Sequence, residues 1–330
     1  MHQTSPALRR IAVAWLLALV LAIVASVLAI TAVKNAVAGP ADPVRAYIGA
    51  LQAGDGGRAL GLLHTTVPSG SPALLDGAPL KDSMSRIRDI SYGTAKADGD
   101  HATVAVRFTV EGEAHESQFA VDRTGTDWLF FPRWSISPTS LPALTATVVN
   151  STRATMNGMS VNMPEGRNAF PVFFPGSYVG SLDGAQFAAE PRAVVVSGPG
   201  ATAPLNLATK ATPQLLGAIE AKLHSYLDDC ARTATQQQRL QPNCPFSLAT
   251  NTRIQDGTIA WSVSAYPTVS VEPFQGSWTI APLAGKAELK AVAIDLFTGA
   301  KSPVDTKVDF SFNARLDVSD AAITVTPQLK

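Results

Sequence analysis

Charged side chains are scarce in this 330-residue chain, at 16% of the total, and they balance at 26 basic and 26 acidic. No lysine and arginine cluster supplies the positive face that nucleic acid requires, so nucleic acid is excluded as a partner. Catalytic signatures are missing as well. There is no H-E-x-x-H, no Walker A loop, no S-x-x-K and no G-x-S-x-G. Gly158-x-Ser160-x-Asn162 comes near the last of these but fails at its final position. The five histidines, His2, His64, His101, His115 and His224, share no metal-ligand spacing. Glu111, Glu113 and Glu116 crowd a turn, and Asp228 and Asp229 are neighbours on a helix that point in different directions. Gly198-Pro199-Gly200-Ala201-Thr202-Ala203 fits G-x-G-x-x-A, but Pro204 follows where a dinucleotide fold needs a helix to open. No enzyme is therefore expected, and no catalytic, cofactor-binding or metal residue is assigned.

Charge is absent altogether from Ile11 to Val33, where the only polar side chains are Ser26 and Thr31. A helix over those 23 residues would be roughly 34 Å long, enough for a hydrocarbon core of about 30 Å. Arg9 and Arg10 precede it with no acidic residue before them, which by the positive-inside rule keeps residues 1–10 in the cytoplasm. The expectation is a transmembrane signal anchor at 11–33 in contact with the lipid bilayer. It places the protein at the cell membrane as a single-pass chain, with the bulk extracytoplasmic. The alternative is a cleaved signal peptide ending near Ala36-Val37-Ala38, though its apolar run would be unusually long. Ala14, Ala18, Ala22 and Ser26 fall on one face, a row that lets helices pack closely or that arises by chance in an alanine-rich helix. Oligomerisation stays open at this point.

Cysteine is nearly absent too: only Cys230 and Cys244 occur, both in the exported part. In an oxidising compartment a disulfide is the default for such a pair. Two cysteines with one nearby histidine, His224, do not make a four-ligand zinc site.

After a linker at 34–41, the pattern divides into three parts. In 42–137, Asp42-Pro43 reads as a helix start, with Val44, Tyr47, Ile48 and Leu51 at helical spacing. Gly54-Asp55-Gly56-Gly57 breaks that helix, and Asp55 is placed to cap a second one. Val104, Val106, Phe108 and Val110 then alternate with polar residues as a half-buried strand does. Segments 117–122 and 128–136 complete a meander. In 141–209, Asn157-Gly158 is a strong hairpin signal, and glycine and proline punctuation points to a small all-β module. In 212–330, Thr212-Pro213 starts a helix whose apolar stripe runs from Leu215 to Leu227, and alternating strands follow.

Asp42-Pro43-Val44-x-x-Tyr47-Ile48-x-Ala50-Leu51-Gln52-Ala53-Gly54-Asp55 resembles the opening of NTF2-like, cystatin-related domains in single-pass bacterial envelope proteins. Phe174-Pro175-Gly176-x-Tyr178 resembles PEGA-type or TcaA-like β modules, and the surroundings of Cys230 and Cys244 resemble actinobacterial membrane-anchored proteins of unknown role. The resemblance implies an α+β fold: an N-terminal transmembrane helix, then two NTF2/cystatin-like α+β domains with a small all-β module between them. It also implies a hollow between helix and sheet, for which Trp128, Phe130, Phe131 and Trp134 are candidate lining, or else core. The function expected is non-enzymatic binding at the cell envelope, to a wall component or partner protein. The alternatives are a structural subunit of an envelope transport or secretion complex, as Mce-associated proteins are, and a small-ligand binder or enzyme using the hollow. A TcaA-like protein would carry a cytoplasmic zinc ribbon, which ten residues cannot hold.

Overall fold

The computed structural model describes residues 6–37, 39–127, 131–200, 204–232, 239–319 and 322–328. The first helix, α1 (Pro6–Val37), runs through the whole uncharged stretch. The single-pass expectation is nevertheless corrected: among the described residues no helix is long and apolar enough to cross a membrane. The transmembrane helix therefore drops out of the fold class. With it go the cell-membrane localisation and the assignment of the N-terminus to the cytoplasm. The side chains of Arg9 and Arg10, on which that orientation rested, lie outside the described set.

Three further helices follow: α2 (Asp42–Ala53), α3 (Gly56–Leu63) and α4 (Gly77–Ser85). Pro43 sits in the first turn of α2, where its missing N–H leaves no bond unmade. Asp42 is helical rather than the cap, and its Oδ2 accepts from the Gly39 N–H at 2.8 Å. Gly54 stops α2 in the left-handed region, φ 71°, with its N–H returning to the last turn. Asp55 does cap α3, its Oδ1 accepting from the Arg58 N–H at 2.9 Å. The strands β1 (Ile87–Tyr92), β2 (Lys96–Asp98), β3 (His101–Val110), β4 (Glu113–Asp127) and β5 (Phe131–Ile136) form an antiparallel sheet ordered β1-β3-β4-β5, with β2 on β3. Along β3, Ala102, Val104, Val106, Phe108 and Val110 are buried and alternate with more exposed neighbours, as the two-residue period requires.

The next part is all β: β6 (Ala143–Val148), β7 (Arg153–Met156), β8 (Met159–Asn162), β9 (Arg167–Pro171), β10 (Gly176–Leu182), β11 (Phe187–Val196) and β12 (Leu205–Leu207). Asn157 and Gly158 link β7 to β8 with positive φ at both, 44° and 76°. Residues from Val44 to Leu207 contribute to one hydrophobic cluster, so helices, meander and β module share a core. Tyr47 of α2 joins them. Its ring meets Phe119 of β4 and Phe173 edge-on, and its hydroxyl donates to the Phe174 carbonyl at 2.8 Å.

The remainder holds β13 (Lys210–Ala211), α5 (Pro213–Arg232), β14 (Arg253–Ile254), β15 (Ala260–Ala265), β16 (Val271–Phe274), β17 (Ser277–Ile280), β18 (Leu283–Ile294), β19 (Lys301–Val318) and β20 (Ile323–Gln328). Thr212 caps α5, its hydroxyl accepting from the Leu215 N–H at 3.2 Å. The apolar stripe of α5, Leu215, Ile219, Leu223 and Leu227, packs with β15, β18 and β19 into a second core. Cys230 and Cys244 are bonded, with Cα atoms 6.0 Å apart, tying the end of α5 to the segment before Phe246. A disulfide of this kind fits a protein that folds outside the cytoplasm.

Candidate functional site

A cleft of about 550 Å³ opens between the first turn of α2, the end of α3 and strand β5. Pro43 and Ala46, three residues apart on α2, form one wall with Leu62 of α3. Phe131, Pro132 and Trp134 of β5 form the other. Pro132 and Trp134 share a strand face, and the same period carries Ile136 into the buried core. Of the residues expected to line a hollow, Trp134 and Phe131 do line this one. Trp128 and Phe130 lie outside the described residues.

The charges at the cleft are already committed. Asp42 receives the Gly39 N–H on one oxygen and Arg45 Nη1 on the other, at 3.1 Å. Arg45 in turn lies 5.3 Å from the Tyr92 ring centre, within cation–π range. Asp127 is bound by Arg133 through Nε at 3.2 Å and through Nη2. These hydrogen bonds hold the Asp127 carboxyl below the usual carboxylate range and push the Arg133 guanidinium higher. The described lining contains no histidine, cysteine or lysine. What the arrangement offers is an apolar surface with a neutralised rim, suited to holding an apolar group.

Titratable side chains converge in one other place. On α5, Asp228 accepts from Arg232 Nη2 at 2.6 Å and from the Tyr266 hydroxyl at 2.5 Å, and the Tyr266 ring lies 4.0 Å from that of His224. The hydrogen bond to Asp228 pushes the Tyr266 hydroxyl up, so it stays a neutral donor. The group clamps the loop after β15 to the helix. Among the described residues, no three His, Cys, Asp or Glu side chains gather closely enough to hold a metal ion.

Sequence reasoning missed Pro43, Ala46 and Leu62 as cleft residues. They read as ordinary helix positions, and only the tertiary fold brings them to a strand about 70 to 90 residues away.

No family model matches the chain, and no curated protein matches it. Among solved structures, a crystal structure of lipopolysaccharide binding protein aligns at a TM-score of 0.12 and 10% identity, over 73% of this chain and 70% of that one. A likeness at that level carries no argument about fold or ligand.

Proposed function

We propose that this chain is a non-enzymatic binding protein of the cell envelope, exported to an oxidising compartment, which engages an apolar segment of a partner protein in the cleft between α2 and β5. The observation that supports the reading is the rim. Asp42, Arg45, Asp127 and Arg133 are each satisfied by a neighbour, so the apolar walls are the free surface. Filling them removes apolar area from water at about 25 cal/mol per Å² without leaving a charge unpaired. A catalytic role would ask for a base or nucleophile poised in the cleft, and its carboxylates are held in ion pairs instead.

Photo-crosslinking in intact cells tests the proposal. A benzophenone amino acid at Arg133, on the cleft, is expected to give a defined protein adduct. The same group at Arg58, on the exposed outer face of α3, is not. Equal labelling from both positions, or none from Arg133, would overturn the reading.

A further inference from the structure

Leu296 and Phe297 are 77% and 100% exposed, side by side at the tip of the β18–β19 hairpin. One exposed apolar residue is ordinary, but an adjacent leucine and phenylalanine standing clear at a turn mark a place of contact. The turn uses up its own donors. The Phe297 and Thr298 N–H groups donate to Asp295 Oδ1 at 2.9 and 2.8 Å. The Ala300 N–H donates to the Thr298 hydroxyl at 3.2 Å. The Asp295 N–H donates to the Ala300 carbonyl, and the Gly299 N–H donates back to the Asp295 carbonyl. Gly299 supplies the left-handed turn, φ 70°.

We infer that the Leu296–Phe297 tip inserts into the boundary of a zwitterionic lipid surface. Three observations select this partner. The first is the closed turn. Hydrocarbon offers a backbone N–H no acceptor, so a segment entering it must satisfy its donors internally. The N–H groups of Asp295, Phe297, Thr298, Gly299 and Ala300 already do so. A protein interface, by contrast, carries a hydrogen bond for about every 100–200 Å², and this tip has few donors left to give one. The second is depth. Ile294 pairs with Lys301 on one side and Arg253 on the other, so two exposed cations flank the strand just below the tip. From Ile294 to Phe297 an extended chain covers at most about 10 Å, at about 3.3 Å per residue. That matches the roughly 5–10 Å to which interfacial apolar side chains reach, with the cations left at headgroup level. The third is charge. Asp256 lies 3.9 Å from Arg253, and the Asp295 carboxylate is turned back onto the backbone. The collar therefore balances, which suits a headgroup of no net charge rather than an anionic one.

The contact is weak and reversible, as a single small apolar anchor gives. It involves neither the α2–β5 cleft nor any passage of the chain through a bilayer.

Photo-crosslinking of the full chain to phosphatidylcholine vesicles with radiolabelled acyl chains tests this. A benzophenone amino acid replaces Phe297 in one protein and Lys307, exposed further down the same strand, in another. Any attraction of α1 to the vesicles is common to both proteins. Lipid adducts are expected from position 297 and not from position 307. Asp295→Ala in the position-297 protein frees the Phe297 and Thr298 N–H groups and should lower the yield several-fold. Asp295→Asn, which keeps an acceptor oxygen, should restore it. Equal yields from both positions, no lipid adduct, or protein adducts alone at position 297 would overturn the inference. So would a yield that Asp295→Ala leaves unchanged, or adducts formed with phosphatidylglycerol vesicles only. The crosslink from Arg133 is read separately, so the cleft reading stands or falls on its own.

Discussion

Tyr47 shows how much one side chain can carry here. It is buried, and burial first of all pushes its hydroxyl ionisation well above the ordinary value, so it remains a donor to the Phe174 carbonyl. Tyr47→Phe keeps the ring contacts but leaves that carbonyl without its donor. An expected loss of about 1–3 kcal/mol follows from an unsatisfied buried polar group. Urea denaturation would measure it, and a loss below about 0.5 kcal/mol would mean the carbonyl finds another donor. Asp127 carries a different kind of prediction. Its folded pKa is depressed by the hydrogen bonds from Arg133. The stability it contributes is therefore present above the ordinary carboxylate value of about 3.9 and is lost as pH falls through the lower folded value. A carboxyl titration followed by NMR should place Asp127 below ordinary aspartates, and Arg133→Ala should return it to their range. An Asp127 that titrates the same in both proteins would remove the ion pair from the description of the cleft.

Among elements, α3 and α5 depend on contacts that a substitution can test cleanly. A Cβ on Gly56 would sit 1.8 Å from the Leu75 carbonyl oxygen, whereas one on Gly57 meets nothing nearer than 3.8 Å. Gly56→Ala is expected to cost about 1–3 kcal/mol or more through overpacking, and Gly57→Ala next to it to be neutral or slightly stabilising. Equal melting temperatures would mean the backbone around Leu75 gives way. The Cys230–Cys244 bond closes a loop with a sequence separation of 14, so Cys230→Ser should lose about 3 kcal/mol on the chain-entropy estimate. Unchanged urea denaturation under reductant would refute that. These elements were legible because their signals are local. Asp55 and Thr212 are caps, Asn157-Gly158 is a turn, β3 alternates, and two cysteines leave one pairing. The shared first core was not legible, because Tyr47 and Phe174 lie 127 positions apart and no local pattern reports such a contact. The cleft was half legible: the aromatic run around Trp134 drew attention, while Pro43, Ala46 and Leu62 gave no sign. The uncharged run at 11–33 was legible as a helix, but the inference from helix to membrane span did not hold among the described residues.

At the scale of the whole molecule, two cores meet along a seam with few parts. Phe187 of β11 stacks on Trp278 of β17, with ring centres 4.2 Å apart and planes 12° from parallel. Asn150 Nδ2 donates to the Ser277 carbonyl at 2.7 Å, and Gln186 Nε2 to the Ser319 carbonyl at 2.9 Å. The Thr212 hydroxyl, which caps α5, also donates to the Ala185 carbonyl at 2.6 Å, so the helix start is pinned to the first core. An aromatic pair adds about 0.5–1.5 kcal/mol beyond its area, and each hydrogen bond about 1 kcal/mol. The seam is thus worth a few kcal/mol, enough to couple two cores that each have their own hydrophobic cluster. Trp278→Ala should leave both clusters intact and weaken only the coupling. Calorimetry is expected to show a single unfolding endotherm in the wild type that broadens or splits in the variant, since cooperativity between cores is no larger than the interface that carries it. If the endotherm stays single and merely shifts, the main-chain pairing of β11 with β13 carries the coupling instead.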